Sequence, residues 1–214
     1  MTRISTLLSQ PLTLLYMLPA MLLGLTFHEW GHAFAAYKLG DPTARNFGRL
    51  SLNPLDHVDP LGLICLLLLG FGWAKPVPVN PRNFKKPRRD ELIVSLAGIA
   101  MNIAEVIVFS LLMVFFLRRK PELILNEAFY CVFLYIITMN TSLAVFNLIP
   151  IPPLDGSHVV ECVLGGRIGY SFRSFMYKYG RFILLALLYL GILDKPIGWA
   201  QGLVIDGINY LLRL

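Results

Sequence analysis

Residues 11–37, PLTLLYMLPAMLLGLTFHEWGHAFAAY, carry one formal charge, Glu29. A helix needs about 20 mostly apolar residues to cross a bilayer, so this stretch predicts a transmembrane span. Inside it, FHEWGH (27–32) places two imidazoles and a carboxylate within five positions, 28 to 32. Burying such groups beside lipid is unfavourable unless they are paired, wetted or bound to a metal.

The remaining sequence agrees with a membrane setting. Of 214 residues, 56% are hydrophobic and only 15% are charged, whereas a soluble domain carries about a quarter charged residues. Mean hydropathy is +0.64. Residues 92–117 contain only Glu105 as a formal charge and residues 128–154 contain none, which predicts two further full spans. The run 61–74, LGLICLLLLGFGWA, is too short to cross easily and predicts a short or re-entrant helix. KPVPVNP (75–81) follows, and its prolines exclude a helix, so an extended segment is expected there. Irregular backbone at membrane depth survives only beside protein or a wet cavity. Two short C-terminal helices are expected over 182–193 and 197–212, separated by the DKP triplet. The expected fold is therefore an all-α polytopic membrane protein, with residues 1–214 forming a single integral-membrane domain. The first apolar run is longer than the core of a signal peptide, so a cleavable signal is not expected.

Charge sets the orientation. The net charge is +6. With the N-terminus outside, segment 38–89 places nine Lys and Arg residues in the cytoplasm, and segment 155–181 adds Arg167, Arg173, Lys178 and Arg181. The opposite side holds five: Arg3, Arg118, Arg119, Lys120 and Lys195. This bias favours a cytoplasmic 38–89 in a multi-pass protein of the cell membrane. Between membrane runs, the basic stretch RNFKKPRR (82–89) reads as a contact for anionic lipid headgroups, not nucleic acid. Cys65, Cys131 and Cys162 are odd in number and widely spaced, with no CxxC, so no disulfide framework is expected.

His28 and His32 lie four residues apart, which on a helix puts both rings on one face, one turn apart. Two neutral imidazoles can then hold one Zn²⁺, and Glu29 can reach a water on that ion as general base. A helix-packing polar cluster without metal is the competing reading. Zinc in a catalytic site takes a third protein ligand. The candidate is Asp155 in NLIPIPPLDGSH (147–158), where Pro150, Pro152 and Pro153 break the chain before the carboxylate. A turn aspartate ahead of Gly156 fits the same residue.

HEWGH in the first span, followed by NLIPIPPLDG in a later one, resembles the site-2 protease family of intramembrane zinc metalloproteases. GDPTARNFGRLSLNPLDHVDPLG (40–62) and FGWAKPVPVNPRNF (71–84) resemble its compact prokaryotic branch, which lacks a PDZ domain. The resemblance implies an all-α membrane metalloendopeptidase that hydrolyses peptide bonds in or beside transmembrane segments of membrane-protein substrates. It implies one zinc per chain held by His28, His32 and Asp155, with Glu29 activating the water near the cytoplasmic side. It also picks out Asn147 and Asn102 to hold the substrate chain or the developing oxyanion. Ile99 stands where the family usually carries proline before the second of these. Interhelical hydrogen bonding is the alternative role for both amides.

A membrane scaffold or a metal transporter could use the same zinc site without proteolysis. A structural zinc more often has four ligands, typically including cysteine, and transporters commonly show internal repeats. Neither feature is evident. The expected partners are a transmembrane protein substrate and lipid, with room for a regulatory membrane protein and no role for nucleic acid. His57 with Asp56 and Asp59 is expected to shape turns. His158 is expected to begin a helix or to support the site from outside it, and Glu105 to face a wet cavity or pair with an amide.

Overall fold

The computed structural model describes residues 11–69 and 74–214. Nine α-helices follow one another among these residues: α1 (Pro11–Lys38), α2 (Thr43–Asn46), α3 (Pro54–His57), α4 (Pro60–Leu69), α5 (Pro87–Arg119), α6 (Glu127–Asn147), α7 (Asp155–Leu164), α8 (Gly166–Tyr189) and α9 (Asp194–Arg213). The described residues form no sheet; Val58 and Ala74 make one isolated antiparallel bridge.

α1, α5 and α6 have 28, 33 and 21 residues and are long and apolar enough to cross a membrane. The chain is an integral membrane protein. Ile107 and Leu111 on α5 remain 53% and 55% exposed, as suits side chains that meet lipid. The three helices pack as an antiparallel trio. Gly24 and His32 of α1 meet Asn102 and Val94 of α5, so numbers rise along one helix as they fall along the other. Likewise Asn102, Phe109 and Phe116 of α5 meet Asn140, Phe133 and Phe129 of α6. The far end of the bundle is an apolar core built on Val106, Met113, Val114, Leu117, Ile137 and Ile208. The near end holds the buried polar residues His28, Glu29, Asn102 and Asn140.

Local signals explain the helix boundaries. Asn126 accepts from Phe129 N–H and caps α6. Asp59 accepts from Leu61 and Gly62 N–H at the start of α4, and Asn53 accepts from Leu55 N–H at the start of α3. His57 is fully buried and its Nε2 lies 2.7 Å from Ser51 O. His57 and Asp59 thus make local contacts at turns and a helix start, as expected of them. α4 is the short helix expected after residue 60; the rest of that run, residues 70–73, lies outside the described residues. Residues 75–80 form no helix, as the prolines require, and the segment is bounded by the bridge at Ala74 and by Asn80 in an extended conformation.

Two boundaries differ from the sequence reading. The third span stops at Asn147, not residue 154, because LIPIPPL (148–154) carries three prolines that cannot continue the ladder of backbone bonds. Asp155 therefore opens α7 instead of ending a span. The two C-terminal helices also reach further than their apolar runs, to 24 and 20 residues, and meet at a 65° bend. Residues 166–181 are polar and aromatic, so apolar runs alone did not reveal that part of α8. α8 stops at Tyr189, short of residue 193, and the bend falls at residues 190–193, where Gly191 has φ +64°. The DKP triplet (194–196), expected to separate the helices, instead forms the first turn of α9, where a proline costs no helical bond. α9 then packs against α5 and α6, with Gln201 Nε2 donating to Thr138 O and Ser142 Oγ.

α1 and α5 approach closely at Gly31, where an added Cβ would lie 2.9 Å from Ala97 O and 2.7 Å from Met101 Cγ. Gly31→Val is expected to destabilise the bundle by about 1–3 kcal/mol through overpacking, read as a lowered midpoint of thermal unfolding in detergent.

Candidate metal centre

One turn of α1 separates His28 from His32, and their rings meet edge to face at 4.7 Å between centroids. The room for both comes from α5. A Cβ on Gly98 would sit 2.7 Å from His28 Cε1 and closer still to His32 Nε2, so only glycine fits there. The broken chain after α6 brings in Asp155 at the first position of α7. Asp155 Oδ2 lies 3.2 Å from His28 Nε2 and 3.3 Å from His32 Nε2. The two Nε2 atoms are 3.1 Å apart. Among the described residues, these three form a group able to hold a metal ion.

The hydrogen bonds on the far side of each ring decide what the group can do. His32 Nδ1 is 2.7 Å from the carbonyl of Val94, which can only accept, so Nδ1 carries the proton. His28 Nδ1 is 2.7 Å from Asn102 Oδ1. The Asn102 amide orientation follows from its other contacts: Nδ2 donates to the Gly24 carbonyl at 3.1 Å and to Asn140 Oδ1 at 2.8 Å. Asn140 in turn donates to Ile136 O at 3.0 Å. His28 is therefore also protonated on Nδ1. When both rings are neutral, their unprotonated Nε2 atoms face each other and a carboxylate oxygen that has no other hydrogen-bond partner among the described residues.

Three electron-rich atoms at this spacing repel one another unless a cation lies between them. A tetrahedral ion with bonds of about 2.0–2.1 Å holds its ligand atoms roughly 3.3 Å apart, close to the observed separations. The donor set, two imidazoles and a carboxylate with protonated outer nitrogens, suits Zn²⁺.

Glu29 follows His28 on α1 and is 8% exposed. Its Oε2 accepts from the backbone N–H of Val77 at 2.9 Å, which ties the extended segment to the centre. Asn102 touches His28 directly. Asn147 Nδ2 donates to Leu143 O of its own helix at 3.0 Å. His158 lies on α7, with Nδ1 3.4 Å from Glu91 Oε1. That carboxylate raises its pKa above the ordinary histidine value. Glu105 is buried, and among the described residues neither carboxylate oxygen has a hydrogen-bond partner, so the expected amide is not found there.

Asn140, Gly98, the Val94 carbonyl and the Val77 N–H had not been singled out from the sequence. The amide of Asn140 in the uncharged run YCVFLYIITMN (130–140) was an available signal. The two backbone groups leave no signal in sequence.

Comparison with known proteins agrees with this chemistry. The profile of peptidase family M50 matches residues 119–188, a segment that contains Asp155. The "Putative zinc metalloprotease YwhC" of Bacillus subtilis is 41% identical over 157 residues, covering 71% of this chain and 70% of the relative. Rip2 of Mycobacterium tuberculosis, which bears the same metalloprotease designation, is 29% identical over 202 residues, covering 89% of this chain and 74% of the relative. "Regulator of sigma-E protease RseP" of Escherichia coli is 32% identical over 74 residues, 33% of this chain and 16% of the relative. No solved structure matches the chain. Fold and relatives together define a membrane-embedded zinc metalloprotease. The chain belongs to peptidase family M50, the site-2 protease family.

Removing the acceptor for His28 Nδ1 tests the supporting network. Asn102→Leu is expected to weaken zinc binding about 10–100-fold, measured by competition with a chromophoric chelator.

Proposed function

We propose that the chain hydrolyses peptide bonds in or next to transmembrane segments of membrane-protein substrates. One zinc per chain is held by His28 Nε2, His32 Nε2 and Asp155. The observation that carries this reading is the convergence of those three atoms within 3.3 Å inside a membrane bundle, with Glu29 next in sequence. Zinc, when bound, supplies a more acidic water and polarises the scissile carbonyl.

The chain's residues do the rest. Glu29 takes the proton of the attacking water and later passes it to the leaving amine. Its Oε2 is engaged by Val77 N–H, which leaves Oε1 to receive the proton. His28 and His32 cannot act as the base while their Nε2 lone pairs hold the metal. The site lies on the cytoplasmic side of the cell membrane by the charge bias. His28 is ten residues before Lys38, about 15 Å along the helix axis.

A helical substrate hides its carbonyls in its own hydrogen bonds and must unwind before attack. Residues 75–80 offer an extended backbone beside Glu29 on which an unwound strand can pair, as in capture by a sheet edge. Pro76 and Pro78 supply no N–H donors, so such a strand would chiefly donate its own N–H groups. Substrates with helix-breaking residues near the scissile bond should be cut faster. Replacing those residues by leucine should slow cleavage in proteoliposomes, and equal rates would count against the unwinding step.

A scaffold or a transporter has no use for a general base. Glu29→Gln is expected to keep stoichiometric zinc and to lose cleavage by at least about 100-fold. Metal analysis and a reconstituted cleavage assay on the same sample read both quantities. Retained cleavage would sink the proposal.

A further inference from the structure

Three residues beyond α1 lies Asp41, a carboxylate with no solvent exposure. Its Oδ1 accepts from Thr43 N–H at 3.0 Å, Thr43 Oγ1–H at 2.5 Å and Asn83 Nδ2 at 2.7 Å; Oδ2 accepts from Asn80 N–H at 2.7 Å. Two of these donors come from about forty residues further along the chain. Burial works to raise the pKa of this carboxyl, but the hydrogen bonds from Thr43, Asn80 and Asn83 prevail and hold it below the ordinary aspartate value. Asp41 therefore stays ionised through the neutral range. Its stabilising contribution is present above the ordinary aspartate pKa and is lost as pH falls through the lower, folded value.

Asn80 ends the extended segment, and the segment's start is held as firmly. Ala74 bridges to Val58, Lys75 N–H donates to His57 O at 2.8 Å, and Arg49 donates to Lys75 O at 2.5 Å. Between the anchors, Pro76 and Pro78 fix φ, and Val77 N–H meets Glu29 Oε2 at 2.9 Å. Residues 74–80 thus form a strap fixed at three points, and the middle point is Glu29.

We propose that Asp41 is a positioning residue for Glu29, acting through the strap: by holding Asn80 and Asn83, it keeps Val77 N–H on the Glu29 carboxylate. This rests on the reading of Glu29 as the base. The physical basis is stiffness. Three prolines in 76–81 leave the strap few ways to bend, so a shift at Asn80 reaches Val77, three residues earlier and next to Pro78, instead of dissipating. A carboxylate released from Val77 could rotate away from the water whose proton it takes.

Hydrogen exchange on the zinc-loaded full chain tests the structural part without any reference to activity. Asp41→Ala is expected to raise amide exchange at Val77 as well as at Asn80, while α5 and α6 stay protected. Glu29→Ala should expose Val77 and leave Asn80 protected. Unchanged exchange at Val77 in Asp41→Ala would overturn the proposal. Asp41→Asn, which keeps the shape and one acceptor oxygen, gives a milder shift in the same direction, and it serves if the alanine variant fails to fold.

The catalytic part is read by a double-mutant cycle on kcat at full zinc occupancy. Val77→Pro deletes the donor to Glu29. Asp41→Ala and Val77→Pro are each expected to lower kcat roughly tenfold, the scale of one hydrogen bond to a charged group. If Asp41 acts through Val77, the double variant loses no more than Val77→Pro alone. Multiplied losses, or no loss in either single variant, would overturn the proposal. If wild-type protein shows no Glu29-dependent cleavage, the reading of the base fails instead, and exchange at Val77 still decides whether the strap couples the two residues.

Discussion

Two neutral imidazoles must be kept with their lone pairs pointed inward, inside a bundle of membrane-spanning helices. This orientation is the constraint the structure depends on. Each ring is held by a single hydrogen bond from its outer nitrogen, one to the Val94 carbonyl and one to Asn102. Asn102 can serve His28 only because its other end is committed to Gly24 O and Asn140 Oδ1. In a membrane interior an amide without partners is expensive, so the chain Ile136–Asn140–Asn102–His28 is satisfied throughout. All three long helices contribute to it. The helix trio is thus locked in register by the same bonds that prepare the metal centre.

Asp155 is supplied differently. Helix α6 ends at Asn147, and a proline-rich turn delivers the carboxylate at the start of α7. A regular helix could not bring this residue back to α1, because a further two turns would carry it about 12 Å along the axis of α6. The backbone is irregular where the chemistry needs it and helical elsewhere, which is how membrane proteins tolerate such segments. The extended strap follows the same rule. Its donor-poor backbone is tied down at both ends, and its central N–H is given to Glu29.

These features link membership of the M50 family to a physical scheme. The far half of the bundle, packed with Phe109, Phe116, Phe129 and Phe133, is apolar and supplies rigidity. The near half holds His28, His32 and Asp155 together with the buried amides of Asn102 and Asn140. Asp41, just outside the first span, connects the end of the motif-bearing helix to the strap that lies over it.

Much of this could be read from the sequence. Runs of apolar residues defined three spans because lipid tolerates few charges over the length of a crossing. The spacing of His28 and His32 defined one helix face because the α-helix repeats every 3.6 residues, and the prolines before Asp155 marked a break. Such signals are local and survive without a partner. The sequence did not show that Asn140 backs Asn102, that Gly98 makes room for both rings, or that Asn147 turns to its own helix. Nor did it show that α8 begins at residue 166. Those outcomes depend on which helix faces meet and on backbone carbonyls and N–H groups common to nearly every residue. Only the packed tertiary structure selects Val94 O and Val77 N–H from among them.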